Sequence, residues 1–458
     1  MHAPRVGRLP VAPATWPGIA DGAPIRVPLR GNVPAGPAVR ALVDTGPMQR
    51  LRGVRQLGLA HLVYPGGGHS RFEHSLGVYA LGRLLLGHLF ARSGRRHLGE
   101  QDGFDFLAAC LLHDVGHYPF SHTLEEIPPH PEGRFQITRH DERARSLILG
   151  DPDVVCVLRE RWGADPERIA RIIDERDTGG DAADARLRHL LCGPLNPDRL
   201  DYLERDSRHA GVPYGRALDI PRLLDSIDFV PDGTVLGVSP KGVPAVETLI
   251  FASYLMYRET YWHHTVRAAQ AMLKRAVSEA LLRGELDPER LVAADDEQAM
   301  GLLRGCPNPA TAELTQGLGP GRRLYRRVWS GSLEQADGLA PGAARDLLVD
   351  IGTGDPWAAE AHLAGVVAAY NVRHGDAVAP HQLICDVAGR GKELFFEVPL
   401  VGSPLGAAST GDPRVSLIAP SLADNFERHA KRVQLLAAVD VAPTLARYLG
   451  LPGPGGEA

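Results

Sequence analysis

Ser70 followed three positions later by Glu73, at the head of SRFEHSLGVYALGRLLLGHLF, constrains the fold more than any other feature of the chain. A serine hydroxyl can cap the amide of the third helical residue while a glutamate there reaches back, so the spacing predicts a helix beginning near Arg71. On that helix His74 lines up with Val78, Leu81 and Leu85, at i+4, i+7 and i+11, and therefore faces the core. A histidine on such a stripe needs a buried polar partner.

Two further segments offer partners. The apolar run FDFLAACLL predicts a second buried helix that carries His113 and Asp114 inward at its C-terminal end, before Gly116 and Pro119 break it. In NPDRLDYLERDSRHAG, residues 196–211, Asn196 and Pro197 form an N-cap and N1 pair. Asp198, Tyr202 and Asp206 then recur at i, i+4 and i+8 as one polar stripe, and Asp201 pairs with Arg205 across one turn. Singly, each has a plain reading as a satisfied core histidine, a cap or a solvated face. Together His74, His113, Asp114 and Asp198 supply two imidazoles and two carboxylates from three helices, a donor set suited to a divalent ion such as Mn, Fe, Zn or Ni.

The chain of 458 residues is too long for one ordinary core. With 44% hydrophobic and 23% charged residues it has the composition of a folded protein. A net charge of −5 carries no polybasic signature, so nucleic-acid binding is not implied and any anionic ligand must be met locally. Cys110, Cys156, Cys192, Cys306 and Cys385 form no CxxC pair, which argues against a zinc ribbon and a disulfide framework. The N-terminus has no continuous apolar core of a signal peptide, and no window approaches a membrane span, so a cytoplasmic protein without membrane association is expected.

The pattern predicts a mainly α fold: an all-helical core with a smaller α+β C-terminal lobe. Residues 1–38, rich in Pro and Gly, read as an irregular arm with one strand at PIRVPLR. Residues 39–285 read as the helical catalytic core and 286–448 as the lobe, with a helix at AEAHLAGVVAAY and strands at ELFFEVPLV and RVSLIAP. Residues 449–458 read as a disordered tail.

The order His74, His113 with Asp114, and Asp198 is the pattern H…HD…D. From about Asp44 to His264, roughly half the chain, the sequence resembles the HD-domain phosphohydrolases, and within them the deoxynucleoside triphosphate triphosphohydrolase (dGTPase) family. Whole phrases carry the likeness: QRLRGVRQLG, YPGGGHSRFEHSLGVYALG, LLHDVGHYPFSH and DRLDYLERD. The resemblance implies an all-helical catalytic core and one divalent ion (Mn, Fe, Zn, Ni or Mg) held by His74, His113, Asp114 and Asp198. It implies hydrolysis of a dNTP, dGTP among them, to a deoxynucleoside and inorganic triphosphate, with further Mg accompanying the nucleotide.

By position the resemblance makes His122 the general acid, His117 an α-phosphate contact, Glu125 the carboxylate that orients the acid, and His140 with Asp141 further catalytic residues. Substrate contacts fall on Gln56, Leu57, Arg71, Arg199, Tyr202, Asp206 and Tyr261. Trp262 and Ser253 depart from the pattern, standing where a retrovirus-restricting member has a base-contacting glutamine and a phosphate-binding arginine. Asp44, Gln49 and Arg52 match positions that bind an activating nucleotide between subunits, which implies a homo-oligomer, dimer or tetramer. Two other readings share the metal site: hydrolysis of another nucleotide or phosphomonoester, and a catalytically idle nucleotide sensor.

Overall fold

In a computed structural model that describes residues 22–331, 356–387, 397–416, 418–426 and 432–451, the chain begins with a short antiparallel hairpin. β1 (Ile25–Val27) pairs with β2 (Gly31–Val33), and Val27 and Val33 turn into the main core, so the expected strand is present and anchored. Residues 1–21 of the arm lie outside the described residues. α1 (Pro37–Val43) and α2 (Gly46–Arg50) follow, each with proline in its first turn where the missing N–H costs nothing.

The central helices are α3 (Arg71–Phe90), α4 (Glu100–Leu112), α5 (His140–Gly150), α6 (Pro166–Ile173), α7 (Ala182–Cys192) and α8 (Pro197–Ala210). Ser70 Oγ accepts the Glu73 amide at 3.3 Å, which fixes the start of α3. The reciprocal arm of the expected capping box is not made: Glu73 turns instead to Arg205 and His209 on α8. Asn196 Oδ1 accepts the Arg199 amide at 2.6 Å and Pro197 sits at N1, as the sequence predicts.

α3 packs against both α4 and α8. Gly77 permits the second contact, since a Cβ there would lie 2.2 Å from Asp201 Oδ1. Gly116 does the same after α4: a Cβ there would meet His140 O at 2.0 Å, so glycine lets the loop press onto the first turn of α5. Two close approaches thus bring four segments to one point.

The fold is mainly α, as expected, and the strands within the helical body are short. β3 (Ile227–Phe229) and β4 (Leu236–Val238) form a second antiparallel hairpin before α9 (Val243–Met256). A π-helical turn, Tyr257–Tyr261, joins α9 to α10 (His264–Leu282), which packs against α11 (Pro309–Leu318).

The C-terminal region holds a three-stranded antiparallel sheet, β5 (Arg326–Gly331), β6 (Leu383–Val387) and β7 (Val433–Ala437), in the order β5-β7-β6. α12 (Pro356–His374) packs on β6 and contains the expected AEAHLAGVVAAY helix. RVSLIAP is not a strand: its end opens α13 (Ile418–Asn425), because Ser416 Oγ accepts the amides of Ile418 and Ala419. Of ELFFEVPLV, residues 393–396 lie outside the described residues, and the remainder forms only isolated bridges, Leu400 to Val238 and Pro399 to Ser409. Two residues read as part of the tail are buried. Leu449 and Leu451, just after α14 (Ala442–Tyr448), are buried in the sheet's core; residues 452–458 lie outside the described residues.

One hydrophobic cluster joins Leu59, Tyr118, Phe120, Leu124 and the inner face of α10 to Ile384 and Leu436 of the sheet. The loop after α4 is therefore packed between the helical body and the C-terminal sheet.

Candidate active site

α3, α4 and α8 deliver their polar groups to one buried locus. Donor atoms of His74, His113 and Asp198 all lie within 4.8 Å of one another. Asp114 abuts them, with Oδ1 3.4 Å from His113 Nε2 and Oδ2 3.7 Å from His74 Nε2. Its Oδ2 also accepts a 2.6 Å bond from the buried Arg71.

His113 caps α4, and its Nδ1 donates to Cys110 O at 3.0 Å. Its Nε2 is buried with no hydrogen-bond partner and faces the carboxylates of Asp114 and Asp198. That nitrogen is satisfied either by a proton directed at the carboxylates or by a cation held between them. The residues present therefore fit a divalent ion with nitrogen and oxygen ligands.

His74 supports the same reading. Burial opposes its charge, yet the hydrogen bonds it donates to Asp198 and Asp201 raise its pKa to about 10, so the site favours a positive centre at this position. Asp198 is shifted the other way: burial opposes its charge, but His113 and His74 hold its carboxyl well below the usual range.

Asp201, read from sequence only as a partner of Arg205, has a second task. Its Oδ2 accepts from His74 Nδ1 at 3.0 Å and Arg205 Nε at 2.7 Å, and its Oδ1 accepts from Arg30 Nε at 2.9 Å. The bond fixes the His74 ring and tautomer, leaving Nε2 for an ion. The signal was present: a carboxylate one turn from Asp198 on the buried side of the same helix. Replacing Asp201 by Asn is expected to weaken metal affinity by about 10–100-fold, measured by metal titration of the purified variant. Unchanged affinity would remove Asp201 from that role.

Beside the metal locus lies a histidine cluster. His117, His122, Glu125 and His140 could form a second ligand set. His117 is 1% exposed, stacks on His140 with ring centroids 3.9 Å apart, and sets Nε2 3.2 Å from Asp114 Oδ1. Burial, then the charges of Arg71 and His140, push its pKa well below the ordinary histidine value. The ring lies outside the lining of the cavity described next.

The cationic ring is His140. Burial opposes its charge, but bonds to Asp141 and Glu125 raise its pKa to about 10. Its Nδ1 lies 3.0 Å from Glu125 Oε2 and its Nε2 2.8 Å from Asp141 Oδ1. Glu125 also faces His122 Nδ1 at 3.3 Å and, despite burial, is held anionic by both rings. The His122 side chain is 63% exposed.

A cavity of about 540 Å³ adjoins these groups. Gln56, Leu57, Arg71, His122, Glu125, Tyr202, Asp206 and Tyr261 all line it, so most substrate residues expected from sequence share one space. Gln56 Oε1 is buried without a partner. Asp206 accepts from Tyr261 OH at 2.7 Å and lies 2.7 Å from His69 Nε2. Arg199 is not in the lining; it donates to Pro194 O.

The departing positions have distinct fates. Trp262 lines the cavity and stacks on Phe426, which follows α13, with centroids 5.1 Å apart. Ser253 is buried and bonds Leu249 O within its own helix. Asp44, Gln49 and Arg52 lie outside the cavity lining. Gln49 donates to Val43 O and accepts from Arg52 Nε, and Arg52 rests on the Phe72 ring.

Comparison with known proteins matches an HD domain over residues 71–200 and an HD associated region over residues 218–349. The chain is similar to the uncharacterized protein YwfO of Bacillus subtilis, 36% identical over 239 residues, which cover 52% of this chain and 51% of that protein. It is also similar to the deoxynucleoside triphosphate triphosphohydrolase SAMHD1 of Bos taurus, 26% identical over 281 residues, 56% of this chain and 47% of that one. The chain spans about half the length of the first relatives it matches. In fold it is like the crystal structure of a phosphohydrolase from Bacteroides thetaiotaomicron, with a TM-score of 0.68 at 22% identity, covering 91% of this chain and 100% of that one. Among the described residues no helix is long and apolar enough to cross a membrane. With the H…HD…D residues gathered on α3, α4 and α8 inside the matched segment, the chain belongs to the HD-domain phosphohydrolase superfamily.

Proposed function

We propose that this protein is a metal-dependent deoxynucleoside triphosphate triphosphohydrolase, cleaving a dNTP, dGTP among them, to a deoxynucleoside and inorganic triphosphate. The observation that carries the reading is a single cavity shared by sugar-type contacts (Gln56, Leu57, Tyr261, Asp206) and phosphate-type groups (Arg71 and His122, the latter backed by Glu125) beside the metal donors. The similarity to the deoxynucleoside triphosphate triphosphohydrolase SAMHD1 of Bos taurus, over 56% of the chain, supports it.

A divalent ion held by His74, His113, Asp114 and Asp198 would supply Lewis acidity toward a phosphate oxygen and lower the pKa of water at the site. The chain's own residues do the rest. Arg71, held by Asp114 and by Ser121 Oγ at 2.7 Å, presents a fixed guanidinium to the phosphates. Water oxygen attacks the α-phosphorus, the bond from phosphorus to the 5′-oxygen breaks, and His122 delivers a proton to that oxygen while the water gives one up. Gln56 and Asp206 hold the sugar hydroxyl, and Leu57 crowds the 2′ position. A homo-oligomer with an activating nucleotide at Asp44, Gln49 and Arg52, in a cytoplasmic setting, belongs to the same proposal.

The deciding assay incubates the protein with Mn²⁺ and each dNTP and rNTP, with and without GTP, and identifies the phosphorus product by NMR. Free triphosphate from dNTPs, with rNTPs poor, is the expected result. Orthophosphate or pyrophosphate would move the chain to another phosphoester substrate, and bound but uncleaved nucleotide would make it a sensor.

A further inference from the structure

The loop Phe120–Glu126 carries His122 and Glu125, and it is strained. Phe120 and Ser121 both have φ of 59°, a left-handed conformation that non-glycine residues hold only when their surroundings enforce it. Two buried carboxylates from outside the HD domain provide that enforcement, one at each end.

At the leading end, Asp296 is 1% exposed. Its Oδ1 accepts the Phe120 amide at 2.7 Å, and its Oδ2 accepts both the amide and the guanidinium of Arg55 at 3.2 Å. Ser121 Oγ in turn donates to Arg55 O at 2.6 Å, so Asp296 and Arg55 together grip the strained pair.

At the trailing end, Glu126 bonds Arg267 through both of its oxygens, at 2.8 and 2.9 Å, and Lys274 Nζ at 2.7 Å. The same two cations bond Asp386 on β6: Arg267 Nε at 2.7 Å and Lys274 Nζ at 2.9 Å. Asp386 is 1% and Arg267 2% exposed. Burial opposes charge on Glu126, but Lys274 and Arg267 hold its carboxyl well below the usual range, so both acids in the cluster are ionised. Glu126 is the chain neighbour of Glu125, whose oxygens lie near His122 and His140.

We propose that Asp296 and Asp386 are positioning residues: they clamp the loop from both ends and hold Glu125 and His122 in place for proton delivery. The consequence for catalysis rests on the proposed function; the clamp itself does not. The C-terminal sheet thereby becomes part of the catalytic apparatus without touching substrate, and a displacement of β6 would be felt at His122.

The test compares wild type with Asp386→Ala, Asp386→Glu and Asp296→Ala by hydrogen exchange, metal content, melting temperature and steady-state kinetics on the dNTP that wild type cleaves. Asp386→Ala and Asp296→Ala are expected to raise exchange in the peptide spanning residues 120–127 while metal content holds. Their kcat should fall by roughly 10–100-fold, as a small misplacement of a reacting group does, with a smaller change in KM, since neither Asp296 nor Asp386 lines the cavity itself. Asp386→Glu should recover most of the kcat. If Asp386→Ala does not fold, Asp296→Ala tests the other end alone. Unchanged loop exchange in the folded variants overturns the clamp, whatever the substrate. Raised exchange with unchanged kcat overturns its catalytic consequence, and a kcat loss that tracks lost metal or folded fraction reduces these residues to structural ones. Were wild type to cleave no nucleotide, the proposed function would fail while the exchange measurement still decided the clamp.

Discussion

Replacing His113 by alanine is expected to remove the metal and reduce turnover to background while the protein stays folded. The ligands differ in what each does when no ion is bound. His113 makes one hydrogen bond, to Cys110 O at the end of α4, and losing such a bond costs about 1 kcal/mol. Its Nε2 has no hydrogen-bond partner among the described residues and faces the carboxylates of Asp114 and Asp198, where an ion would be held. Asp114 differs. It holds the buried Arg71, and Asp114→Ala would leave that guanidinium unpaired at a cost of about 3–5 kcal/mol. The double variant, His113 and Asp114 both to alanine, should lose metal and activity completely but also melt lower. His113→Ala therefore separates chemistry from stability. Metal analysis, melting temperature and triphosphate release on the same preparation check it, and activity surviving without metal would sink the assigned site.

The three helices of the metal site were legible because their signals are local. A serine cap before an apolar stripe, an apolar run closed by Gly116 and Pro119, and an Asn-Pro start each specify a helix within a few residues, and the face of each histidine or aspartate follows from the period. What was not legible depends on contacts distant in sequence. Asp201 looked like half of an i, i+4 pair, which it is, but only the close approach at Gly77 brings it to His74, 127 residues away. Asp296 reaches Phe120 across 176 residues, with no local pattern to announce it. His117 shows the limit for chemistry: its protonation is set by burial and by Arg71 and His140, which no spacing rule reports. RVSLIAP was misread for the opposite reason. Its apolar, branched residues favour a strand, but the serine within it caps a helix.

His122 yields the second large effect, and it separates proton delivery from metal binding. The side chain is mostly exposed into the cavity and touches Glu125 without entering the core, so His122→Ala should shift stability by no more than about 0.5 kcal/mol, as surface changes usually do. His122 is not one of His74, His113, Asp114 and Asp198, so metal held by those four should be unchanged. Loss of a general acid lowers turnover by about 10²–10⁴-fold. That range alone would not distinguish a lost acid from a disturbed site, because Glu125 also holds His140 and released strain could propagate through it. The leaving group makes the distinction. A deoxynucleoside 5′-oxygen is a poor leaving group that needs the proton, whereas a p-nitrophenolate is stable without one. The variant should therefore lose most of its rate on the natural ester and far less on a p-nitrophenyl phosphodiester that wild type also cleaves. An equal loss on both esters would remove His122 from acid catalysis and make it a residue that shapes the site, and an undiminished rate on the natural ester would remove it from the chemistry altogether.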